Sequence, residues 1–367
     1  MKRKILWFTR KPISIKTNGL LFGLQNPNAP HYASKEMQHI IKTSFNTELD
    51  VFTHAFQRHS RWECYWTCMD FVDSANHKIK IYHPESETYL DIELDTLDDY
   101  ADFILFKYLG AVESQRDKIR NCLHTLETHF TGAIINHPES IRYFIRKDYY
   151  LELEKAGFPV IPNSKIYPQT VRYATILNDL PPHKKPEDYI IKPVTGELGN
   201  SLGLLNQLGQ PRKPEHIPMT PEEWLRLKEP KVGGWIVQEY HKEVWNGEYR
   251  LIFLGNVCVL GLRKRYYKID DNQIIPNEKY RIFDLYEPTD HELKLGKDLK
   301  KYWEEVHQKP IYFFRLDFIK TKDALPKISI LEFEAVNPGF SLGALTAAKQ
   351  QEVANQLVNY LDNHSFL

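Results

Sequence analysis

Two short segments near the C-terminus constrain this chain more than any other feature. The first reads Tyr312-Phe313-Phe314-Arg315-Leu316-Asp317-Phe318 and the second Ile330-Leu331-Glu332-Phe333-Glu334-Ala335-Val336-Asn337-Pro338-Gly339. Both have the aromatic and aliphatic content of strands. Side chains alternate between the two faces of a strand. Arg315, Asp317 and Ile319 therefore share one face, and Glu332 and Glu334 share one face of the next strand. Paired side by side, the two strands converge three carboxylates and an arginine. Hard oxygen ligands at that density suit Mg²⁺ bridging nucleotide phosphates. The competing reading is a solvated sheet face on which charges simply alternate. The apolar flanks Phe313-Phe314 and Ser329-Ile330-Leu331 favour a buried location.

Two further stretches fit a nucleotide. Tyr189-Ile190-Ile191-Lys192-Pro193 precedes Gly196, Gly199 and Gly203. A lysine at a strand end beside a glycine loop can hold phosphate oxygens, because glycines let backbone N–H groups approach them closely; the plain alternative is a turn. No Walker G-x-x-x-x-G-K-[ST] and no G-x-G-x-x-G after a strand occurs. Trp235-Ile236-Val237-Gln238-Glu239-Tyr240 then leads into Asn246-Gly247-Glu248-Tyr249-Arg250. An apolar strand ending in a polar hinge can present backbone groups to an adenine edge, and Glu248 can accept from ribose hydroxyls. Read otherwise, Glu248 is an exposed hairpin residue.

The chain is long enough to bury such a site. Its 367 residues are 42% hydrophobic and 13% aromatic, which supports two or three packed domains. Strands are expected at 4–9, at 79–82 and 89–94 as a hairpin, at 103–106 and at 133–135, with a helix over 115–128. That alternation gives an α/β leading domain over 1–133. A helix is expected over 145–156, stopped by Gly157. Residues 209–234 read as a charged, Pro-rich excursion with a short helix at 221–227. Strands follow at 235–240, 249–253, 257–264, 312–319 and 328–333, with helices over 291–306 and 347–363. The expected partition is 1–133, 134–234 and 235–367.

Composition also excludes partners. Lys plus Arg equals Asp plus Glu at 48 each, so nothing draws the chain to nucleic acid or to an anionic membrane. Four scattered cysteines argue against a disulfide framework. Cys64 and Cys68 lie near His59, either as metal ligands or as two packed thiols; the spacing is not a usual zinc pattern. The apolar run at 5–8 is too short for a signal peptide core. No stretch reaches the roughly 20 apolar residues of a membrane span. The expectation is a soluble, cytoplasmic protein.

Taken in order, Lys-Pro with a glycine loop, Gln-x-Tyr, Gly-Glu-x-Arg, Arg-x-Asp and Glu-x-Glu ahead of a proline resemble the ATP-grasp superfamily. The branch with glutathione synthetase, ribosomal-protein glutamate ligase and the cycloserine-forming ligase is the most similar. Asn136-His137-Pro138, Lys147 and the run Val160-Ile161-Pro162 resemble the entry to that family's central domain. The resemblance implies an α/β (α+β) architecture in which two α+β subdomains clasp ATP behind an α/β leading domain. It implies ATP and Mg²⁺, or Mn²⁺, as cofactors. Lys147 and Lys192 would contact phosphates, with Gly196 and Gly199 beside them. Gln238, Glu239 and Tyr240 would form the adenine hinge, and Glu248 would hold the ribose. Asp317, Glu332 and Glu334 would bind the metal, Glu334 being favoured over Asn337 as third ligand because it faces the same way as Glu332. Arg250 and Arg315 would balance charge on the transferring phosphoryl group, and Arg265, Arg281 and Asn337 would contact substrate.

The implied activity is carboxylate–amine ligation through an acyl-phosphate, releasing ADP and phosphate. Acceptors would be a small amine or a peptide, in a chain that forms a homodimer in some relatives. A peptide-modifying ligase is the first rival, with Trp62, Tyr65, Trp66 and Phe71 either gripping a peptide or packing a core. A small-molecule kinase is the second, and a nucleotide-binding protein without turnover the third.

Overall fold

The computed structural model describes residues 2–9, 13–14, 20–21, 48–49, 51–59, 61–86, 88–107, 109, 112–162, 164–195, 202–210, 218–230, 233–266, 281–321, 327–336 and 338–364. Gly196, Gly199 and Asn337 lie outside them, as does most of the 195–204 glycine stretch.

Three sheets organise the chain. The first contains β1 (Arg3–Phe8), β4 (Trp62–Thr67), β5 (Val72–Asp73), β6 (Lys78–His83), β7 (Thr88–Glu93), β8 (Phe103–Phe106) and β9 (Ala133–Ile135) in the order β5-β6-β4-β1-β8-β9, with β7 on β6. β2 (Ile13–Ser14) and β3 (Leu20–Leu21) form a separate small hairpin. β4, β1, β8 and β9 run parallel, so their carboxyl ends share one edge. Strand alternation divides β1 between two cores. Leu6 and Phe8 meet Ile119, Leu123 and Leu126 of α2 (Val112–His129), while Ile5 and Trp7 meet Phe52 and Phe56 of α1 (residues 51–58).

The second sheet is antiparallel, β10 (Lys165–Tyr167), β13 (Trp235–Glu239), β11 (Tyr189–Pro193) and β12 (Gly203–Leu204) in that order. The third is also antiparallel, with β16 (Arg281–Leu285), β15 (Val257–Tyr266), β14 (Glu248–Leu254), β17 (Phe313–Lys320) and β18 (Ile328–Glu334) side by side. Its two faces bury different helices. Leu251, Phe253 and Phe314 pack with Leu295, Leu299 and Trp303 of α7 (Asp290–His307). Ile252 and Leu254 pack with Val353, Leu357 and Leu361 of α8 (Ala347–Asn363). Gly296 sets the approach of α7, since a Cβ there would stand 2.3 Å from the Phe253 ring. α8 also reaches the first sheet, where Asp362 accepts from the Trp62 indole at 2.8 Å and the Leu361 carbonyl accepts from Arg3 at 2.8 Å.

One expectation changes. The expected helix 145–156 is present as the shorter α4 (Tyr149–Lys155), and a separate helix, α3 (Pro138–Phe144), precedes it. Pro138 opens α3, where its missing N–H costs nothing, and the His137 ring accepts from the Glu139 amide at 3.2 Å. The chain leaves the helical path because the Lys147 amide donates to the Val194 carbonyl at 2.9 Å. Gly157, at φ +84°, ends this region as expected. For the aromatics the structure decides between the two readings offered. Trp62, Tyr65 and Trp66 lie on β4 and are at most 8% exposed. They fill the core, whereas Phe71, in the turn after β4, is half-buried.

Asn136 joins the first sheet to the third. It follows β9 and is buried; its amide oxygen accepts from the Tyr312 and Phe313 amides, each at 2.8 Å, and its amide nitrogen donates to the Phe313 and Ala335 carbonyls at 2.5 and 2.8 Å. Asn136→Ala would strand these backbone groups in the interior. The expected loss is about 3 kcal/mol, read as a lowered urea midpoint at unchanged m-value.

Candidate active site

The register of the third sheet assembles the charged face. Arg250 on β14 stands opposite Asp317 on β17, and Asp317 stands opposite Glu332 on β18. Two residues along, Arg315 pairs with Glu334. The irregularity between Asp317 and Phe318 is a bulge-like shift, a device that re-aims side chains at sites of this kind. Asp317 and Glu332, expected to converge, are therefore direct cross-strand neighbours.

The carboxylates do not face one another bare. Arg315 clamps Asp317 through two bonds, Nε to Oδ1 at 2.6 Å and Nη2 to Oδ2 at 2.9 Å, and reaches Glu332 at 3.2 Å. Arg250 approaches Asp317 at 3.4 Å. Lys147, delivered by the turn between α3 and α4, donates to Glu332 at 2.7 Å. Charges taken out of water need such partners. Glu334 accepts from the Val336 amide at 2.7 Å. Among the described residues no three His, Cys, Asp or Glu side chains form a ready-made metal cage. That holds for Cys64 and Cys68 too, which are buried thiols not joined by a disulfide.

Environment separates the two central acids. Burial opposes the charged form of Glu332, but Lys147 and Arg315 overcome it and hold the carboxyl at about 2. Burial pushes Asp317 above the ordinary range, against the pull of Arg250 and Arg315, and Glu248 adds repulsion. Lys192 keeps part of its side chain accessible. Even so, burial pushes its ammonium down to about 7, with Lys147 adding repulsion and Glu332 opposing the shift. It lies 4.9 Å over the Tyr150 ring.

Other expected residues divide. Glu248 is buried rather than an exposed hairpin residue. It holds Arg250 at 2.8 and 2.5 Å and Lys264 at 3.0 Å. Glu239 faces Lys184 at 3.4 Å. The Gln238 amide points inward and donates to Ser164 Oγ at 2.8 Å. Tyr240 donates its backbone N–H to the Asp188 carbonyl at 2.6 Å, so that group is not free for an adenine edge. Arg265 does not join the cluster; it pairs with Asp284 at 2.6 Å on the exposed side of β15. Arg281 opens β16, but its side chain is outside the described set. Lys264 and Tyr149 belong to the site and were not singled out from sequence. Lys264 stands opposite Glu248 in the β14–β15 register, and the Tyr149 hydroxyl accepts from the Phe333 amide at 3.1 Å. The one available signal for Lys264 was its alternation with the expected strand 257–264.

The three sheets with this cluster form the ATP-grasp fold, seen in solved structures that span almost the whole chain. A D-cycloserine synthetase matches at TM-score 0.65 and 12% identity, covering 97% of this chain and 99% of its own. A D-alanine–D-alanine ligase from Bacillus anthracis matches at TM-score 0.56 and 12% identity, covering 98% and 96%. A macrocyclase from Microcystis aeruginosa, bound with its precursor peptide, matches at TM-score 0.53 and 12% identity, covering 97% and 99%. No family model matches the sequence, and no curated protein matches it. Among the described residues no helix is long and apolar enough to cross a membrane.

The depressed Lys192 ammonium has a pH signature. Below about 7 the lysine is charged both folded and unfolded, and its burial penalty is complete. Between about 7 and the ordinary lysine value the folded state releases the proton while the unfolded chain keeps it, so stability rises with pH. Lys192→Met is expected to raise the thermal midpoint by several degrees at pH 6, with the gain shrinking steadily towards pH 10. A gain independent of pH would contradict the depressed value.

Proposed function

We propose that the protein is an ATP-dependent carboxylate–amine ligase that forms an amide bond through an acyl-phosphate and releases ADP and phosphate. The observation that carries this reading is the row Arg250, Asp317 and Glu332 across three adjacent strands, closed by Arg315 and Lys147. The donor set fits a magnesium–nucleotide tail: hard carboxylate oxygens lie beside cations that a triphosphate can take over as partners. Bound there, Mg²⁺, or Mn²⁺ on the same oxygens, would offset phosphate charge against Asp317, Glu332 and Glu334.

The chain's own groups do the rest in this proposal. Lys147 and Lys192 hold phosphate oxygens, with Gly196 and Gly199 alongside. Arg250 and Arg315 orient the transferring phosphoryl group, stabilising charge as it moves to the substrate carboxylate. Glu239 lines the adenine side and Glu248 meets the ribose, while Gln238, bonded to Ser164, and Tyr240, whose N–H is held by the Asp188 carbonyl, support that strand from behind rather than bonding the adenine edge. Asn337 and Arg281 are assigned to substrate, whereas Arg265, turned to Asp284, has no part. The amine then attacks the acyl carbon and phosphate leaves, so no protein nucleophile is needed. The partition into 1–133, 134–234 and 235–367 belongs to the same proposal, with β9 of the first sheet and β13 of the second sheet falling at its boundaries. A peptide acceptor is the second reading. It is favoured by structural neighbours crystallised with precursor peptides, such as the macrocyclase and an ATP-grasp ligase complexed with a minimal precursor at TM-score 0.54.

An ADP-release screen against amino acids, dipeptides and longer peptides, with mass detection of products, tests the reading. Amine-dependent release of ADP and phosphate is the expected outcome. Release that ignores the amine and leaves a phosphorylated product would make the protein a kinase. AMP and pyrophosphate would place it in another class of enzyme. Asp317→Asn is expected to lower the rate about 10³-fold while the protein stays folded; near-normal turnover would remove Asp317 from the centre.

A further inference from the structure

Away from the charged face of the third sheet, the first sheet buries an ion pair. Lys107 directly follows β8, at the carboxyl edge of the parallel strands, and its side chain is 5% exposed. Glu48, 4% exposed, stands 2.5 Å from it, in the helical residues 48–49 beside α1. Both also hold the segment that follows β18. Lys107 Nζ donates to the Pro338 carbonyl at 3.3 Å, and Glu48 Oε1 accepts from the Leu342 amide at 3.0 Å. Between those anchors the Phe340 ring lies 5.1 Å from the Lys107 ammonium and stacks on Phe313 at 4.8 Å. Gly339 is turned towards Arg315, whose guanidinium is 3.8 Å from where a Cβ would stand.

A buried ion pair is a poor source of stability, because apolar residues of similar volume often do as well. This one bonds two backbone groups of a single short segment, beside an arginine of the charged cluster. That segment lies at the carboxyl edge of a parallel sheet, where ligands of α/β proteins bind. We propose that Lys107 and Glu48 are positioning residues that fix segment 338–342 against Arg315, so that it forms the wall on which the substrate carboxylate is presented for phosphorylation. The role of the wall rests on the ligase reading; the fixing of the segment does not.

The test uses the full chain as Lys107→Met, Glu48→Gln and the apolar double variant Glu48→Leu/Lys107→Met. Amide hydrogen exchange over 338–345 is expected to speed up about tenfold in Lys107→Met while β17 and β18 stay protected. Calorimetry with MgATP is expected to give unchanged affinity. With the carboxylate and amine selected by the ADP-release screen, KM for the carboxylate is expected to rise about tenfold and KM for MgATP to hold. The double variant should regain the wild-type thermal midpoint without regaining that KM. Unchanged exchange over 338–345 in a folded variant overturns the proposal, as does full kinetic recovery in the double variant. If wild-type protein shows no amine-dependent ADP release, the ligase reading fails separately, and the exchange result alone decides whether the pair fixes the segment.

Discussion

The antiparallel pairing of β17 with β14 and β18 is the constraint on which the charged site rests. It fixes Asp317 between Arg250 and Glu332. A slip of β17 by one residue would turn Arg315 and Asp317 to the opposite face, away from Arg250 and Glu332, because side chains alternate with period two. The apolar residues between them, Leu316, Phe318 and Phe333, are buried, so a slip would also expose that core. Hydrophobic packing on one face thus holds the charged geometry on the other.

The site is also a junction. Lys147 comes from the α3–α4 turn, Lys192 from the second sheet, and the carboxylates from the third. Asn136 and segment 338–342 tie the first sheet to the strands that carry the acids. Such an arrangement needs several elements placed at once, and its charges are balanced by partners drawn from separate parts of the chain. Burial and close charges act on each group differently: Lys147 and Arg315 overcome burial and draw Glu332 down, whereas burial, with the like charge of Lys147, lowers Lys192 against the pull of Glu332.

Much of this was legible in the chain. Alternating faces placed Asp317 and Glu332 together, and short runs located β8 and β9. What escaped depended on contacts distant in sequence. The break between α3 and α4 follows from Lys147 bonding to Val194, which no local pattern announces. Between a peptide grip and core packing for Trp62, Tyr65 and Trp66, it is the pairing of β4 with β1 that decides for the core. Cross-strand register, unknown in advance, is what brings Lys264 to Glu248 and sends Arg265 outward to Asp284.

The amide of Lys147 hangs on the Val194 carbonyl just past the end of β11, and its ammonium rests on Glu332. Lys192 lies two residues before that carbonyl, on the same strand. The second sheet and β18 are therefore yoked through one residue: a tilt of β11 pulls the lysine by its backbone while Glu332 restrains it by its tip. Rocking of one sheet over the other must either carry both lysines together or release the grip on Glu332. Lys147 is thus a mechanical coupling as well as a charge.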